Sequence, residues 1–283
     1  MTAPVIDAGI VGLTVGPIAC ALDARWLMAY AAALGETDAR YYDTTAPGGP
    51  VPHPLFPVCY EWPAAIALRA KAIDDAVAPL GVHALHNLVV HRPPRAGDSL
   101  RTSAHVTAVQ RRRRGTLVVA RYATVDRTGV PISTTDYGSL YRGVGLRGED
   151  AGSIPGGAEH GDLGDVQWVE EVDVPAQAAH VYTEGARIYN PIHTDLAVAR
   201  SAGLPGPILH GTATLALAVS RVIARDLSGD PTAVRGVAAR FTGMVAMPSR
   251  LTVRMRASRG AELPFDAVDA DGQPVLSDGL VIR

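Results

Sequence analysis

Apolar positions along the chain recur with two periods, and the same order of periods appears twice. In DARWLMAYAAALGE, Trp26, Tyr30 and Leu34 fall four residues apart with Gly35 behind them, which predicts a helix stopped by a glycine. A Pro/Gly-rich loop, TTAPGGPVPHPLFP, comes next. WPAAIALRAKAIDDAVAPLG then carries an Ala/Leu/Ile stripe that predicts a second helix, with Pro63 near its N-terminus. After Gly81 the period shortens to that of a strand. VHALHNLVV, SLRTSAHVTAV, TLVVARYATV and PISTTDYGSLYRG read as strands, parted by turns at RPPRAGD, RRRRG and DRTG.

A polar, glycine-rich stretch without period follows, and it divides the chain into a unit at 1–150, a linker at 151–165 and a unit at 166–283. Beyond it the order returns. VQWVEEVDV reads as a strand, HGTATLALAVSRVIARDLS as a helix, and four strands close the chain, from VRGVAARFTG through SRLTVRMRAS and PFDAVDADG to PVLSDGLVIR. Individual residues recur as well. Asp126, Gly129 and Pro131 in DRTGVP match Asp269, Gly272 and Pro274 in DADGQP, each ahead of an alternating strand. The same turn at the same place in both halves points to a duplication, two like units packed on one another with joined sheets.

Composition narrows the class. At 283 residues, 47% hydrophobic and 19% charged, the chain is rich enough in apolar residues to pack a core. A formal net charge of −2 argues against nucleic acid or an anionic membrane as the main partner. Cys20 and Cys59 are too few for a disulfide framework and lack metal-ligand spacing. The N-terminal stretch has no basic region ahead of its apolar residues, and no apolar run is long enough to span a membrane, so a cytoplasmic protein is expected.

The stretch RIYNPIHTD carries the candidate chemistry. Asn190 suits a helix cap, Pro191 the first helical position and Asp195 the first turn, all without any function. His193 is left unexplained, as is a second histidine, His210, at a second helix start in PGPILHGTATL. Together, YNPIHTDLAVARSAGLPGPILHGTATLALA resembles the signature of the MaoC-like dehydratase and (R)-specific enoyl-CoA hydratase (hydratase 2) family. There S-G-D-x-N-P-x-H is followed by an A-G-F/L segment and P-I-L-H-G. The match takes in Asn190, Pro191, His193, Asp195, Gly203 and Pro207 to Gly211. In the first half, RWLMAYAAALGETDARYYD and ALHNLVVHRPPRAGDSL resemble the corresponding segments of the double-length members.

That resemblance implies an α+β double hotdog, two helices each wrapped by a curved antiparallel sheet. It also implies water added to, or removed from, an enoyl or 3-hydroxyacyl thioester, with acyl-CoA as the expected substrate and no metal or redox cofactor. Carried over, His193 matches the catalytic histidine, Asn190 the supporting asparagine, and Gly211 a backbone N–H for the thioester oxygen. Arg187, Tyr189 and His210 are candidates for binding substrate. The family's aspartate lies five residues before the histidine, where this chain has Ile188. Three readings follow: another carboxylate, Glu184 or Asp195 being nearest in sequence, takes its place; His193 runs an easier reaction alone; or the chain binds a thioester without converting it. A hotdog thioesterase is a further alternative. The resemblance also implies a homodimer or higher homo-oligomer. His53 at a pocket mouth and the Arg111 to Arg114 run on a CoA phosphate are weaker candidates beside their readings as a loop histidine and a solvated turn. His83, His86, His91 and His105 fall in strand patterns, where packing or surface positions are expected.

Overall fold

The computed structural model describes residues 4–154 and 164–283. The first half runs β1 (Val5–Asp7), β2 (Thr14–Ala21), α1 (Ala24–Ala33), α2 (Pro57–Ala72), β3 (Gly81–Val90), β4 (Ser99–Arg112), β5 (Gly115–Asp126) and β6 (Pro131–Arg142). Two short strands, β7 (Gly145–Arg147) and β8 (Ala151–Gly152), end it. The second half runs β9 (Val166–Val174), α3 (Ala178–Ala186), α4 (Leu196–Ser201), α5 (Gly211–Asp226), β10 (Gly236–Phe241), β11 (Ser249–Arg256), β12 (Glu262–Val268) and β13 (Pro274–Ile282). Most of the linker expected at 151–165 lies outside the described residues, but its first two residues pair with β4 as β8.

The main sheet has the order β2-β4-β5-β6-β3-β10-β13-β12-β11-β9. Read from its two ends inward, each half gives the same sequence of strands, and the halves meet where β3 and β10 pair antiparallel, Val237 opposite Leu88 and Ala239 opposite His86. This is the α+β double hotdog that the resemblance implied. The two D-x-x-G-x-P turns fall at equivalent hairpins, β5–β6 and β12–β13. In each, the aspartate side chain accepts backbone N–H groups of its own turn: Thr128 and Val130 onto Asp126, Asp271 and Gln273 onto Asp269. Gly129 and Gly272 take positive φ of 90° and 74°, as that turn requires.

Alternation in sequence becomes sidedness in the sheet. On β11, Leu251, Val253 and Met255 are buried against the helices, while Arg254 and Arg256 on the other face reach Asp266 of β12. Helix α5 is the most enclosed. Its small residues Ala213, Ala216 and Ala218 are all but sealed from solvent, and β11 and β13 of the sheet pack against the helix. One core cluster spans both halves, with Tyr30, Phe56 and Tyr60 from the first and Tyr182, Leu215 and Phe265 from the second. Helices α1 and α3 pack on each other across the pseudo-twofold, and the Tyr30 and Tyr182 hydroxyls meet at 3.3 Å.

Two sequence expectations change. Pro63 does not start α2; it lies inside it, because the helix begins with Pro57, which takes the first-turn position instead. Strand β2 is missing from the sequence reading, since Gly16 and Pro17 interrupt its pattern. It sits at the edge of the sheet with a register shift between Val15 and Ile18, a place where a proline's lost N–H is tolerated.

The α1–α3 contact is close because Gly185 has no side chain. A Cβ there would lie 2.5 Å from the Ala33 Cβ and 2.7 Å from the Ala29 carbonyl oxygen. Gly185→Val should therefore lower stability by roughly 1–3 kcal/mol or more, read as a lower urea midpoint with little change in slope.

Candidate active site

Helix α3 ends at Arg187, whose left-handed backbone (φ 57°) turns the chain. After the turn Ile188 points inward and is buried, while its neighbours point out. The Arg187 guanidinium lies 4.3 Å from the Trp26 ring centroid and 3.9 Å from Asp23. Tyr189 is 58% exposed. Neither lines the cleft described below, so these two candidates for binding substrate are corrected to an outward-facing pair flanking an inward Ile188.

Asn190 does not cap a helix with its side chain. It precedes a single 3-10 turn, Pro191–His193, and makes no capping bond. The cap is Asp195, which accepts from the Ala197 and Val198 amides at the start of α4. Asp195 is thereby occupied and exposed, and Glu184 is exposed on α3, so neither carboxylate reaches the cleft. The Asn190 side chain is left free for the cleft it lines.

His193 is buried, at 9% exposure. Its Nδ1 lies 2.8 Å from the Ile208 carbonyl oxygen, which can only accept, so Nδ1 carries the proton. Nε2 keeps its lone pair and has no hydrogen-bond partner among the described residues. Burial holds the His193 pKa down at about 4, only partly offset by the Ile208 bond, so the ring is neutral at pH 7. His210 stacks on it with centroids 3.8 Å apart and is pushed well below the ordinary histidine range by burial and by His193. His210 Nε2 meets the Thr183 hydroxyl at 3.2 Å. Directly after it, Gly211 opens α5, whose first-turn N–H groups have no acceptor within the helix.

These residues form one wall of a cleft of about 1100 Å³, open mouth included. The structure thus brings together Asn190, His193, His210 and Gly211, with Ile188 among them. The opposite wall comes from the first half: Val58, Glu61, Trp62, Ala65 and Arg69 recur at helical spacing along one face of α2. The cleft continues under α2 into an apolar recess between Leu68, Ala72 and Ile73 of that helix and Val106, Val118 and Ala120 of the sheet. His83, expected only to pack, also lines the cleft, sandwiched between Tyr137 and Phe241 at centroid distances of 3.8 and 4.1 Å.

Glu61 was not singled out in the sequence. It is 5% exposed, and its Oε1 accepts from Thr135 at 2.7 Å and Ser133 at 3.2 Å. Burial raises its pKa to about 7, against the lowering effect of those hydroxyls. A signal was available: it is the one charge in FPVCYEWPAAIAL.

Other candidates sit elsewhere. His53 is sealed between the halves. Its Nδ1 accepts the Leu55 amide, so Nε2 carries the proton and donates towards Ser220, whose hydroxyl meets Glu36. That tautomer leaves His53 no lone pair with which to act as a base on Ser220. In the Arg111 to Arg114 turn, Arg111 pairs with Glu149 and Asp150, away from the cleft. Among the described residues no three His, Cys, Asp or Glu side chains gather to hold a metal ion, and no helix is long and apolar enough to cross a membrane.

Residues 168–267 match the MaoC like domain family, and residues 10–135 match the FAS1-like dehydratase domain region. The 3-hydroxyacyl-thioester dehydratase Y of Mycobacterium tuberculosis is 30% identical over 210 residues, 71% of each chain. The chain belongs to the MaoC-like dehydratase family. Among other MaoC-like relatives, the peroxisomal enoyl-CoA hydratase 2 of Arabidopsis thaliana is 41% identical over 86 residues, 30% of this chain and 27% of that protein. Enoyl-CoA hydratase ChsH3 of M. tuberculosis is 28% identical over 174 residues, 62% of this chain and 60% of that protein. The matched region thus spans less than two thirds of either relative. In fold, a MaoC-like dehydratase from Phytophthora capsici superposes with a TM-score of 0.85 at 21% identity, covering 97% of this chain and 96% of that one.

The buried histidines of this MaoC-like chain carry a pH signature. His53, His86 and His193 have folded-state values of about 3, 4 and 4, and His83 and His210 are lowered too, all by burial. Below the ordinary value near 6.5 the unfolded chain takes up protons that the folded chain refuses, so stability is full above that pH and is lost towards 4. Glu36 and Glu61, both raised by burial, act with the opposite sign in part of that window, but they are outnumbered. The urea midpoint should fall steadily from pH 7 to pH 5.

Proposed function

We propose that this chain adds water to, or removes it from, an enoyl or 3-hydroxyacyl thioester, with coenzyme A as the carrier. The observation that carries the reading is His193: a neutral imidazole, its Nδ1–H anchored on Ile208, its Nε2 without a partner among the described residues, in the same cleft that the first turn of α5 lines. In hydration, Nε2 takes a proton from water as the oxygen bonds to the β-carbon. The electrons of the double bond move to the thioester oxygen, which the first-turn N–H groups at Gly211 stabilise as it becomes an enolate. Asn190, with no cap to make, orients the water or the thioester. The apolar recess under α2, which Arg69 borders, takes the acyl chain. CoA is favoured over other carriers because two relatives are named enoyl-CoA hydratases. Ile188 occupies the place where the resembled motif has its aspartate, so the second proton-transfer group must come from elsewhere.

The same Ile188 favours a second reading, a chain that binds acyl thioesters without converting them. Free Cys20 and Cys59 support a cytoplasmic setting, although the Arabidopsis relative is named peroxisomal. A homo-oligomer is supported by the outermost strands β2 and β9, which among the described residues each leave one edge of the sheet unpaired; light scattering at micromolar concentration reads this directly.

Purified protein is assayed against a panel of 2-enoyl-CoAs and 3-hydroxyacyl-CoAs, with free thiol followed in parallel. Hydration without thiol release is expected. Thiol release would indicate a thioesterase, and binding with neither reaction a binder. His193→Ala should lower turnover by roughly 10²–10⁴-fold. It should also cost some stability, since the ring packs on His210 instead of standing free at a helix start.

A further inference from the structure

Hydration needs a proton at the α-carbon as well as a base for water, and the cleft contains few groups that can supply one. His83 and His210 are neutral and hold protons poorly, because burial pushes both well below the histidine range. Tyr122, Tyr137 and Tyr141 are all raised by burial, Tyr141 to about 12, so none of them cycles a proton near neutrality. An arginine such as Arg69 does not release its proton. Ile188 has none to give. Glu61 remains, the one carboxylate among the residues lining the cleft.

We propose that Glu61, on helix α2 of the first half, is the second proton-transfer group of the site, giving the α-carbon its proton across the cleft from His193. The assignment rests on the hydratase reading above. Its geometry is specific. Tyr60 donates to the Ser133 hydroxyl, Ser133 donates to Glu61 Oε1, and Thr135 donates to the same oxygen, so Oε1 is fixed as an acceptor. Oε2 has no partner among the described residues, so the acid proton resides there.

The step balances. His193 Nε2 accepts one proton of water, and the oxygen forms a bond to the β-carbon. The π pair moves through the α-carbon to the thioester oxygen and returns as the Glu61 proton is delivered to the α-carbon. The imidazolium proton passes through water to the Glu61 carboxylate, restoring both groups. In dehydration every transfer runs backwards, with Glu61 as the base.

Glu61→Gln keeps the shape and the acceptor for Ser133 and Thr135 but removes the transferable proton. Its kcat for hydration should fall by about 10²–10⁴-fold, while the Kd for a saturated acyl-CoA and the urea midpoint stay close to those of the wild type. In the wild type, hydration should decline as pH rises through about 7, where Glu61 loses its proton. The residual activity of Glu61→Gln should lack that limb, a change that a merely structural role would not produce. Deuterium wash-in at the α-carbon of a saturated acyl-CoA should also be lost in the variant. A variant with kcat within roughly threefold of the wild type, well short of a lost acid–base group, would overturn the assignment and leave the hydratase reading standing. A wild-type hydration rate flat across neutral pH would overturn it even if the variant failed to fold. A wild type that hydrates no enoyl-CoA would bring down the hydratase reading itself, and Glu61's role with it.

Discussion

The antiparallel pairing of β3 with β10 is the constraint on which the rest of the molecule depends. It turns two sheets into one, sets α2 and the start of α5 to line one cleft, and accompanies the packing of α1 against α3. The cleft exists only as a product of that pairing, because one wall is α2 and the other is the segment between α3 and α5. The core cluster that runs through both halves makes the same point energetically: Tyr30, Phe56 and Tyr182 are buried by partners from across the pseudo-twofold, so neither half would retain its packing alone.

Much of this was legible in the sequence, for physical reasons. Strands such as β11 alternate strictly, and alternation reports sidedness directly. The paired D-x-x-G-x-P turns were readable because a hairpin with an aspartate accepting its own amides and a glycine at positive φ admits few substitutes. The positions of Asn190, His193, His210 and Gly211 around one cleft follow from a motif whose spacing is local.

What was not legible is what depends on contacts between distant segments. Glu61 is more than a hundred positions from His193, and no periodicity links them. The orientation of Arg187 hinges on one left-handed residue that is neither glycine nor asparagine, so nothing in the string flagged the turn. Asn190 and Asp195 are both residue types that cap helices, so the string alone does not say which one does. Only the observed 3-10 turn separates them, and the distinction decides which side chain is free.

The start of α2 shows what carrying both halves on one chain permits. Where α5 opens with a glycine and free backbone donors, the matching helix opens with Pro57, which has no N–H, and the chain before it is plugged by Leu55 and Phe56, both sealed from solvent. Two identical subunits meeting on a true twofold would carry any residue twice, once on each side of the axis. A single chain with two unequal halves escapes that symmetry. One half keeps the open helix start and the histidine, the other fills its own counterpart and lends a helix face to its neighbour. The cleft is therefore asymmetric where a symmetric pair would hold two equal ones, and the halves are free to diverge in opposite directions under a shared fold.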